Sequence, residues 1–293
     1  MRVDNLFQRN DSPERLFSMN ALRRAWTQVR RSGKAAGTDG MTIDAFEARL
    51  NHELNRLRQQ IVGGTYSPQP LRQYFIEKKS GKLRPIRIWS LRDKVAQRVV
   101  VDAITPVLEA HFLDCSYGFR PGRSVQQAVE AVTILRDAGQ RWVLDADISE
   151  CFDSIDLQLL MGQVRRVVST EIFVSLIEDW LYTLIAGSNK VGQQIAGVSQ
   201  GGVISPLLAN LYLHRFDEML LAALPQSRLI RFADDFITLN ASDEEAVWSL
   251  EVARRSLENL RLKLNMRKTR IVHFDEGFSF LGYRFHGNIV EKG

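Results

Sequence analysis

The chain has 293 residues, of which 45% are hydrophobic and 25% charged, with a formal net charge of +5. This composition supports a substantial core and excludes a disordered tail or a small disulfide-stapled scaffold. The charge is uneven, because residues 1–100 hold 20 Lys and Arg against 9 Asp and Glu, whereas residues 101–293 hold 19 against 25. The split indicates one region that attracts a polyanion and another that concentrates carboxylates, although solvated charged faces would give the same numbers.

The cysteine content and the hydropathy exclude several further classes. Cys115 and Cys151 are far apart and lie in no C-x-x-C or Cys/His cluster, so neither a disulfide framework nor a structural zinc site is predicted. The N-terminus is too polar for a signal peptide, and no apolar run approaches the roughly 20 residues that span a bilayer. We therefore expect a soluble, cytoplasmic protein without membrane association.

The first part of the chain is predicted to contain helices and one hairpin. Apolar residues at helical spacing predict a helix over 13–31 and another over 42–62 that ends at a glycine pair. Two short strands are predicted on either side of a Lys/Gly turn at 78–82. A helix follows over 91–112, and Pro106 is expected to kink or divide it.

The second part mixes strands and helices irregularly. Residues 141–148 predict a strand, and helices are predicted over 156–168, 170–187 and 205–224, the second of which ends at a glycine. Ser242, followed by a glutamate three residues later, is predicted to cap a last helix before short terminal strands. This order favours an α+β domain with antiparallel hairpins over a doubly wound sheet.

The stretch RLIRFADDFITL places two adjacent carboxylates, Asp234 and Asp235, inside a run of β-forming apolar residues. Because Asp favours turns, a tight hairpin turn is the purely structural interpretation. A second acidic strand end, VLDADI, has Asp145 and Asp147 at alternate positions and therefore on one face. Carboxylates that converge from two strands repel each other unless a divalent cation such as Mg²⁺ neutralises them. Two such ions suit the chemistry of nucleotidyl transfer.

Six motifs occur in a fixed order: SYGFRPGRS, DADISECFDSI, VSQGGVISPLLANLYL, RFADDF, LNMRKT and FLGY. This series resembles the ordered motifs of bacterial reverse transcriptases of the group II intron type, and the resemblance extends upstream to GTDGMTIDAFEARL. It implies an α+β right-hand polymerase with an antiparallel palm sheet. Residues 1–140 would form the fingers and the start of the palm, and residues 141–293 the palm with the catalytic hairpin and primer grip. Because ten residues follow Tyr283, we expect the thumb to be absent.

The resemblance implies a catalytic group of four residues. Asp147 and Asp234 would be the main metal ligands and Asp235 would support them, with two Mg²⁺ ions, or Mn²⁺, as cofactors. We expect the hairpin to fix Asp234 opposite Asp147, with a metal between them, and Asp145 to stay outside the catalytic set. Lys268 matches a lysine that assists the departing pyrophosphate as a general acid.

Contacts to the incoming dNTP are implied for four residues. Lys78 and Arg84 would hold the triphosphate, with a solvated basic turn as the alternative. Phe152 would exclude a 2′-hydroxyl and so favour deoxynucleotides, with a core aromatic as the alternative. Gln200 would lie against the nascent base pair.

Nucleic-acid contacts are implied for Arg120, Arg123, Gly201, Leu281 and Gly282. The two arginines stand beside aromatic residues, which suits a nucleic-acid strand, but a turn held by buried arginines is the alternative. Gly201 would permit close backbone approach. Apolar strand packing would explain part of the FLGY motif equally well.

The resemblance implies an RNA-directed DNA polymerase that adds dNTPs to the 3′ end of a DNA or RNA primer on an RNA template. It extends to the CRISPR-associated branch, which implies spacer acquisition from RNA with a Cas1-type integrase, or a thumb-supplying domain, as partner. A domesticated defence or retroelement enzyme is an alternative cellular role. A non-catalytic nucleic-acid-binding module and a protein-primed or template-independent polymerase also stay open.

Overall fold

The computed structural model describes residues 12–31, 36–77, 81, 83–186 and 197–293. The chain divides into two compact units, each built from two stretches of sequence. The first unit contains the described residues of 1–110 and 157–208, and the second contains 111–156 and 209–293. Because these units interleave along the chain, they do not correspond to one boundary at residue 140. The assignment of 1–140 and 141–293 to fingers and palm stays a prediction.

The described helices are α1 Pro13–Leu16, α2 Met19–Val29, α3 Ile43–Ala48, α4 Leu50–Val62, α5 Leu91–Glu109, α6 Val125–Asp137, α7 Cys151–Ser154, α8 Leu157–Val167, α9 Glu171–Leu181, α10 Ser205–Ala223 and α11 Asp243–Asn259. The described strands are β1 Arg72–Glu77, β2 Leu83–Ile88, β3 Trp142–Asp147, β4 Arg228–Phe232, β5 Asp235–Asn240, β6 Arg270–His273, β7 Phe278–Phe280, β8 Tyr283–His286 and β9 Ile289–Lys292. All the strand pairs within these sheets are antiparallel, which confirms the predicted α+β class.

The first unit contains the β1–β2 hairpin and most of the helices, and its helix boundaries differ from the prediction in several places. The predicted helix over 13–31 is two helices, because the Ser18 side chain accepts a hydrogen bond from the Ala21 amide and so starts α2. The predicted helix over 42–62 is broken at Arg49, where the backbone leaves helical geometry. Of the two effects expected of Pro106, the division of α5 is wrong, since the helix continues through the proline, and the kink stays a prediction.

Helix α9 shows how a tertiary contact overrides a local signal. The sequence predicts that this helix ends at a glycine, but it ends at Leu181. The chain then extends, and Leu71 donates to the Leu184 carbonyl at 2.8 Å while accepting from the Ala186 amide at 2.9 Å. Because the backbone groups of Leu184 and Ala186 bond to Leu71, they do not make helical hydrogen bonds, and the helix ends before the glycine.

The second unit is built on a four-stranded sheet with the order β4-β5-β3-β6. Five consecutive residues of β5, 236–240, are buried. Because successive strand side chains point to opposite faces, this means that both faces of β5 are covered. Helices α6 and α11 both pack on the sheet. Its core contains Val132, Ile237 and Phe274.

A three-stranded sheet, β7-β8-β9, completes the second unit. The rings of Phe278 and Phe285 stack with centroids 4.9 Å apart, and Phe274 meets Phe278 edge-on at 5.1 Å. Such aromatic contacts add to the free energy gained by burial. They attach this small sheet to the core of the unit. No described helix has the length and apolarity needed to cross a membrane.

Candidate active site

Strands β4 and β5 form a hairpin whose loop consists of Ala233 and Asp234. Phe232 and Asp235 form the pair that closes this loop. Ala233 has a φ of 59°, in the left-handed region that residues other than glycine seldom occupy. The hairpin therefore places the two adjacent carboxylates at the sheet end, one in the loop and one at the start of β5.

The register of the sheet brings a third carboxylate to the same end. Asp147, the last residue of β3, pairs directly with Asp235 on β5. The expectation that the hairpin fixes Asp234 opposite Asp147, with a metal between them, stays a prediction. In the strand pairing itself Asp234 is a loop residue, so the β4–β5 ladder starts with the pair of Phe232 and Asp235.

Two side chains from the segment after α11 contact the Asp147 carboxylate. Lys268 Nζ lies 3.1 Å and Asn265 Nδ2 3.0 Å from Asp147 Oδ2. The Asn265 amide also donates to the Asp147 carbonyl at 2.8 Å, which fixes the segment against the end of β3. Lys268 thus reaches the predicted site. Asn265 was missed by the sequence reasoning, although it stands three residues before Lys268 in LNMRKT.

The electrostatics of this end of the sheet indicate a shortage of positive charge. Burial, together with the charges of Asp234 and Asp147, raises the pKa of Asp235 to about 6. Among the residues that the structure describes, no three His, Cys, Asp or Glu side chains are already arranged as a metal-binding group. Even so, carboxylate oxygens are the ligands that Mg²⁺ prefers, and a divalent cation would supply the missing countercharge. The donor set therefore fits such an ion.

Asp145 has a different environment from Asp147, although both lie on the same face of β3. Its carboxylate pairs with Arg270 on β6, with Nε at 3.1 Å from Oδ2. Burial raises the pKa of Asp145, and Arg270 opposes that shift. This structural ion pair agrees with the expectation that Asp145 stays outside the catalytic group.

The loop that contains SYGFRPGRS lies beside the hairpin turn. A Cβ at Gly118 would lie 2.5 Å from the Ala233 nitrogen, so only glycine allows this approach. Phe119 has a φ of 57° and a largely exposed ring whose centroid is 6.3 Å from that of Phe232. The loop thus presents an aromatic surface next to the carboxylates.

The two arginines of this loop have structural partners. Arg120 is buried and donates to the carbonyls of Leu113 at 2.6 Å and Ser116 at 2.8 Å. Arg123 pairs with Asp114 and lies over the Tyr117 ring. This geometry favours the alternative of a turn held by arginines. A role for either residue in binding nucleic acid stays a prediction.

The dNTP residues are only partly described. Lys78 lies outside the described residues, as does the side chain of Arg84, whose backbone pairs with Ile76 in the β1–β2 hairpin. Phe152 is half-buried in α7, five residues after Asp147. The roles of these residues in dNTP binding stay predictions.

The remaining predicted residues occupy turns. Gln200 is half-buried, and Gly201 has a φ of 110° with a Cβ position that would overlap the Arg87 carbonyl oxygen. The absence of a side chain at Gly201 therefore allows a close approach of the Arg87 backbone, and an approach of nucleic acid to Gly201 stays a prediction. Leu281 and Gly282 form the β7–β8 turn, both with positive φ, and Leu281 packs against the core. Apolar packing accounts for Leu281, as the alternative proposed.

Residues 76–285 match the family model described as "Reverse transcriptase (RNA-dependent DNA polymerase)". The chain belongs to the reverse transcriptase family. Its enzyme class is RNA-directed DNA polymerase, a nucleotidyltransferase, and reverse transcriptases use divalent metal ions and bind RNA templates and primers. The matched region includes the carboxylates of the hairpin and of β3.

Two curated relatives each match most of this chain, and the second agrees with the group II intron type of reverse transcriptase. The chain is 36% identical to "Protein YkfC" of Escherichia coli (strain K12), over 97% of this chain and 83% of that protein. It is 29% identical to "Group II intron-encoded protein LtrA" of Lactococcus lactis subsp. cremoris, over 89% of this chain and 55% of that protein. The chain thus spans about half of the intron-encoded protein.

Solved structures confirm the fold as that of a reverse transcriptase with fingers and palm. A telomerase from Candida albicans in complex with telomeric RNA superimposes with a TM-score of 0.60 at 13% identity, over 85% of this chain and 49% of that one. A chain of the "Partial Cas6-RT-Cas1--Cas2 complex" gives a TM-score of 0.50 at 25% identity, over 84% of this chain and 41% of that one. The likeness to telomerase, at its low identity, concerns the fold alone.

Proposed function

We propose that this reverse transcriptase adds dNTPs to a primer 3′ end on an RNA template, with Asp147 and Asp234 as the main metal ligands and Asp235 as their support. The observation that carries the proposal is the convergence of three carboxylates at one sheet end, where burial and mutual repulsion raise the pKa of Asp235 to about 6. Two Mg²⁺ ions, or Mn²⁺, held there would activate the 3′-hydroxyl and stabilise the developing charge.

The chain's own residues supply the other parts of the reaction. The primer 3′-hydroxyl loses its proton to solvent as its oxygen forms a bond to the α-phosphorus of the dNTP, and the bond from that phosphorus to the bridging oxygen breaks to release pyrophosphate. Lys268, whose ammonium lies at the site beside Asp147, would give its proton to the departing pyrophosphate. Phe152 would close the space next to C2′ of the sugar.

Primer extension tests this proposal directly. The purified protein with Mg²⁺, primed poly(rA) and dTTP should extend the primer, and Asp234→Ala should abolish extension. Asp275→Asn is the matched control, because Asp275 is exposed and pairs with Arg141 on the surface. Robust synthesis by Asp234→Ala would overturn the assignment of the catalytic residues. Steep salt-dependent RNA binding without incorporation by the wild type would favour a non-catalytic binding module.

For the cellular role, we propose spacer acquisition from RNA with a Cas1-type integrase. The support is the likeness to the reverse transcriptase region of the "Partial Cas6-RT-Cas1--Cas2 complex", at 25% identity over 84% of this chain. Co-purification of the chain with a Cas1-type integrase, with an unrelated integrase as the control, tests this role. Equal recovery of both integrases would contradict it and favour a retroelement or other defence role.

A further inference from the structure

Behind the hairpin turn lies a buried polar cluster that the proposed reaction does not use. Arg231 on β4 and Asp217 on α10 are both fully buried, and they form two parallel hydrogen bonds of 2.7 and 2.6 Å. A buried ion pair of this kind is costly to desolvate, and an apolar pair of similar volume is often no less stable. Stability alone therefore gives no reason for this ion pair.

The remaining guanidinium nitrogen of Arg231, Nη1, contacts the Ala233–Asp234 turn, which we call the catalytic turn. Its Nη1 donates to the carbonyl of Ala233 at 3.0 Å and to Asn210 Oδ1 at 3.1 Å. Ala233 is the residue in the left-handed conformation, directly before Asp234. A conformation that is unfavourable in itself persists only where surrounding contacts over-determine it. The hydrogen bond from Arg231 is such a contact.

Asn210 extends the cluster to the neighbouring loop. Its Nδ2 donates to the carbonyl of Gly118 at 2.7 Å, and Gly118 is the residue that approaches the Ala233 nitrogen. Asn210 and Asp217 are seven residues apart, which is two helical turns, so both project from the same face of α10. One helix therefore supports both the turn and the loop beside it.

From these contacts we infer that Arg231, Asp217 and Asn210 are positioning residues for polymerisation, which hold the Ala233–Asp234 turn and thereby the direction of the Asp234 carboxylate. None of the three touches the reacting atoms in this scheme. The claim that these residues matter for polymerisation rests on the proposed function, whereas the claim that they hold the Ala233–Asp234 turn does not. A misplacement of about 1 Å at a reacting group can lower the rate about 100-fold.

The test replaces the ion pair without leaving a buried charge. In the double variant R231M/D217L, the backbone bonds of Arg231 to Cys115 and Tyr117 remain, so β4 keeps its place. We expect a urea midpoint close to that of the wild type, a fall in kcat of about 10- to 100-fold, and an unchanged KM for dTTP. A residue with a merely structural role would change the midpoint and leave kcat unaffected.

Hydrogen–deuterium exchange gives a readout that does not depend on activity. Amides of residues 233–236 should exchange about 10-fold faster in the double variant, while the rest of the sheet keeps its protection. R136M is the matched control, because Arg136 is also buried in this unit and bonds to a carboxylate, Asp137, and to the Gly287 carbonyl. It should leave both kcat and the exchange of the turn unchanged.

The outcomes separate the two claims. A stable double variant with wild-type exchange at 233–236 would overturn the inference, whatever its activity. If the double variant does not fold, Asn210→Ala decides by the same two measurements, because it removes the bond to Gly118 and retains the ion pair. If the wild type fails to extend a primer, the proposed function is wrong, and the exchange of the turn still decides whether the cluster holds it.

Discussion

Gly118→Ala perturbs the catalytic turn from outside it. The added Cβ would lie 2.5 Å from the Ala233 nitrogen and 3.0 Å from the Phe232 carbonyl carbon, and both atoms belong to the backbone. The first distance is about 1 Å shorter than an ordinary contact of 3.4 Å. No side chain can rotate away, so either the turn or the loop must shift by a comparable amount.

The expected effect of Gly118→Ala has two parts. Overpacking of this kind costs about 1–3 kcal/mol in the free energy of unfolding. A shift of about 1 Å at Asp234 lowers kcat about 100-fold. Primer extension under saturating dTTP measures kcat, and urea unfolding measures stability.

Gly122→Ala is the control in the same loop. Gly122 has a φ of 70°, and a Cβ there would meet nothing within 4 Å. That substitution costs about 1–2 kcal/mol, because the left-handed conformation disfavours alanine, but it does not press on the turn. Wild-type kcat in Gly118→Ala, or equal losses of kcat in the two variants, would refute the reasoning.

Three further predictions test other parts of the molecule. Asp93 accepts hydrogen bonds from Tyr66, Gln69 and Ser90. Asp93→Ala should therefore lower the free energy of unfolding, measured in urea, by about 3 kcal/mol, whereas the surface variant Asp102→Ala on the same helix should lower it by less than about 1 kcal/mol. Equal losses in the two variants would contradict this. Burial lowers the pKa of His214 despite the nearby charges of Glu218 and Asp217, so the unfolded chain binds the proton more readily than the folded chain. The free energy of unfolding should therefore decrease as the pH falls below 6.5. A His214→Gln variant with the same pH dependence as the wild type would refute this. Phe152→Ala should raise incorporation of rUTP relative to dTTP about 10-fold, and an unchanged ratio would favour the core-aromatic interpretation.

Local pattern was sufficient to predict the framework of the site. The apolar run on both sides of Asp234 and Asp235 predicts a hairpin with the acids at its tip, and the structure has that hairpin. The alternation in VLDADI correctly places Asp145 and Asp147 on one face. Their different partners could not be read from the alternation, because Arg270 and Lys268 come from a distant segment.

Some features escaped prediction because they depend on contacts between residues far apart in sequence. Arg231 looks like an ordinary strand residue in the sequence, and its ion pair with Asp217 is visible only in the structure. The one sequence signal for this polar cluster is the seven-residue spacing of Asn210 and Asp217 on a largely apolar helix. The end of α9 was mispredicted because Leu71 takes the backbone bonds that follow Leu181. The register that pairs Asp147 with Asp235 could not be read from the sequence, because the length of a turn sets the register of a hairpin.

Two aspartates on one face of β3 give the most direct test of the central claim. Asp147 lies opposite Asp235 and contacts Lys268, whereas Asp145 is paired with Arg270. Asp147→Asn and Asp145→Asn make the same chemical change, a carboxylate to an amide, at two positions of one strand. Primer extension with Mg²⁺ on primed poly(rA) compares the two variants. We predict that Asp147→Asn has no measurable extension and that Asp145→Asn stays within about 10-fold of the wild type. Extension by Asp147→Asn at the wild-type rate would contradict the assignment of the active site.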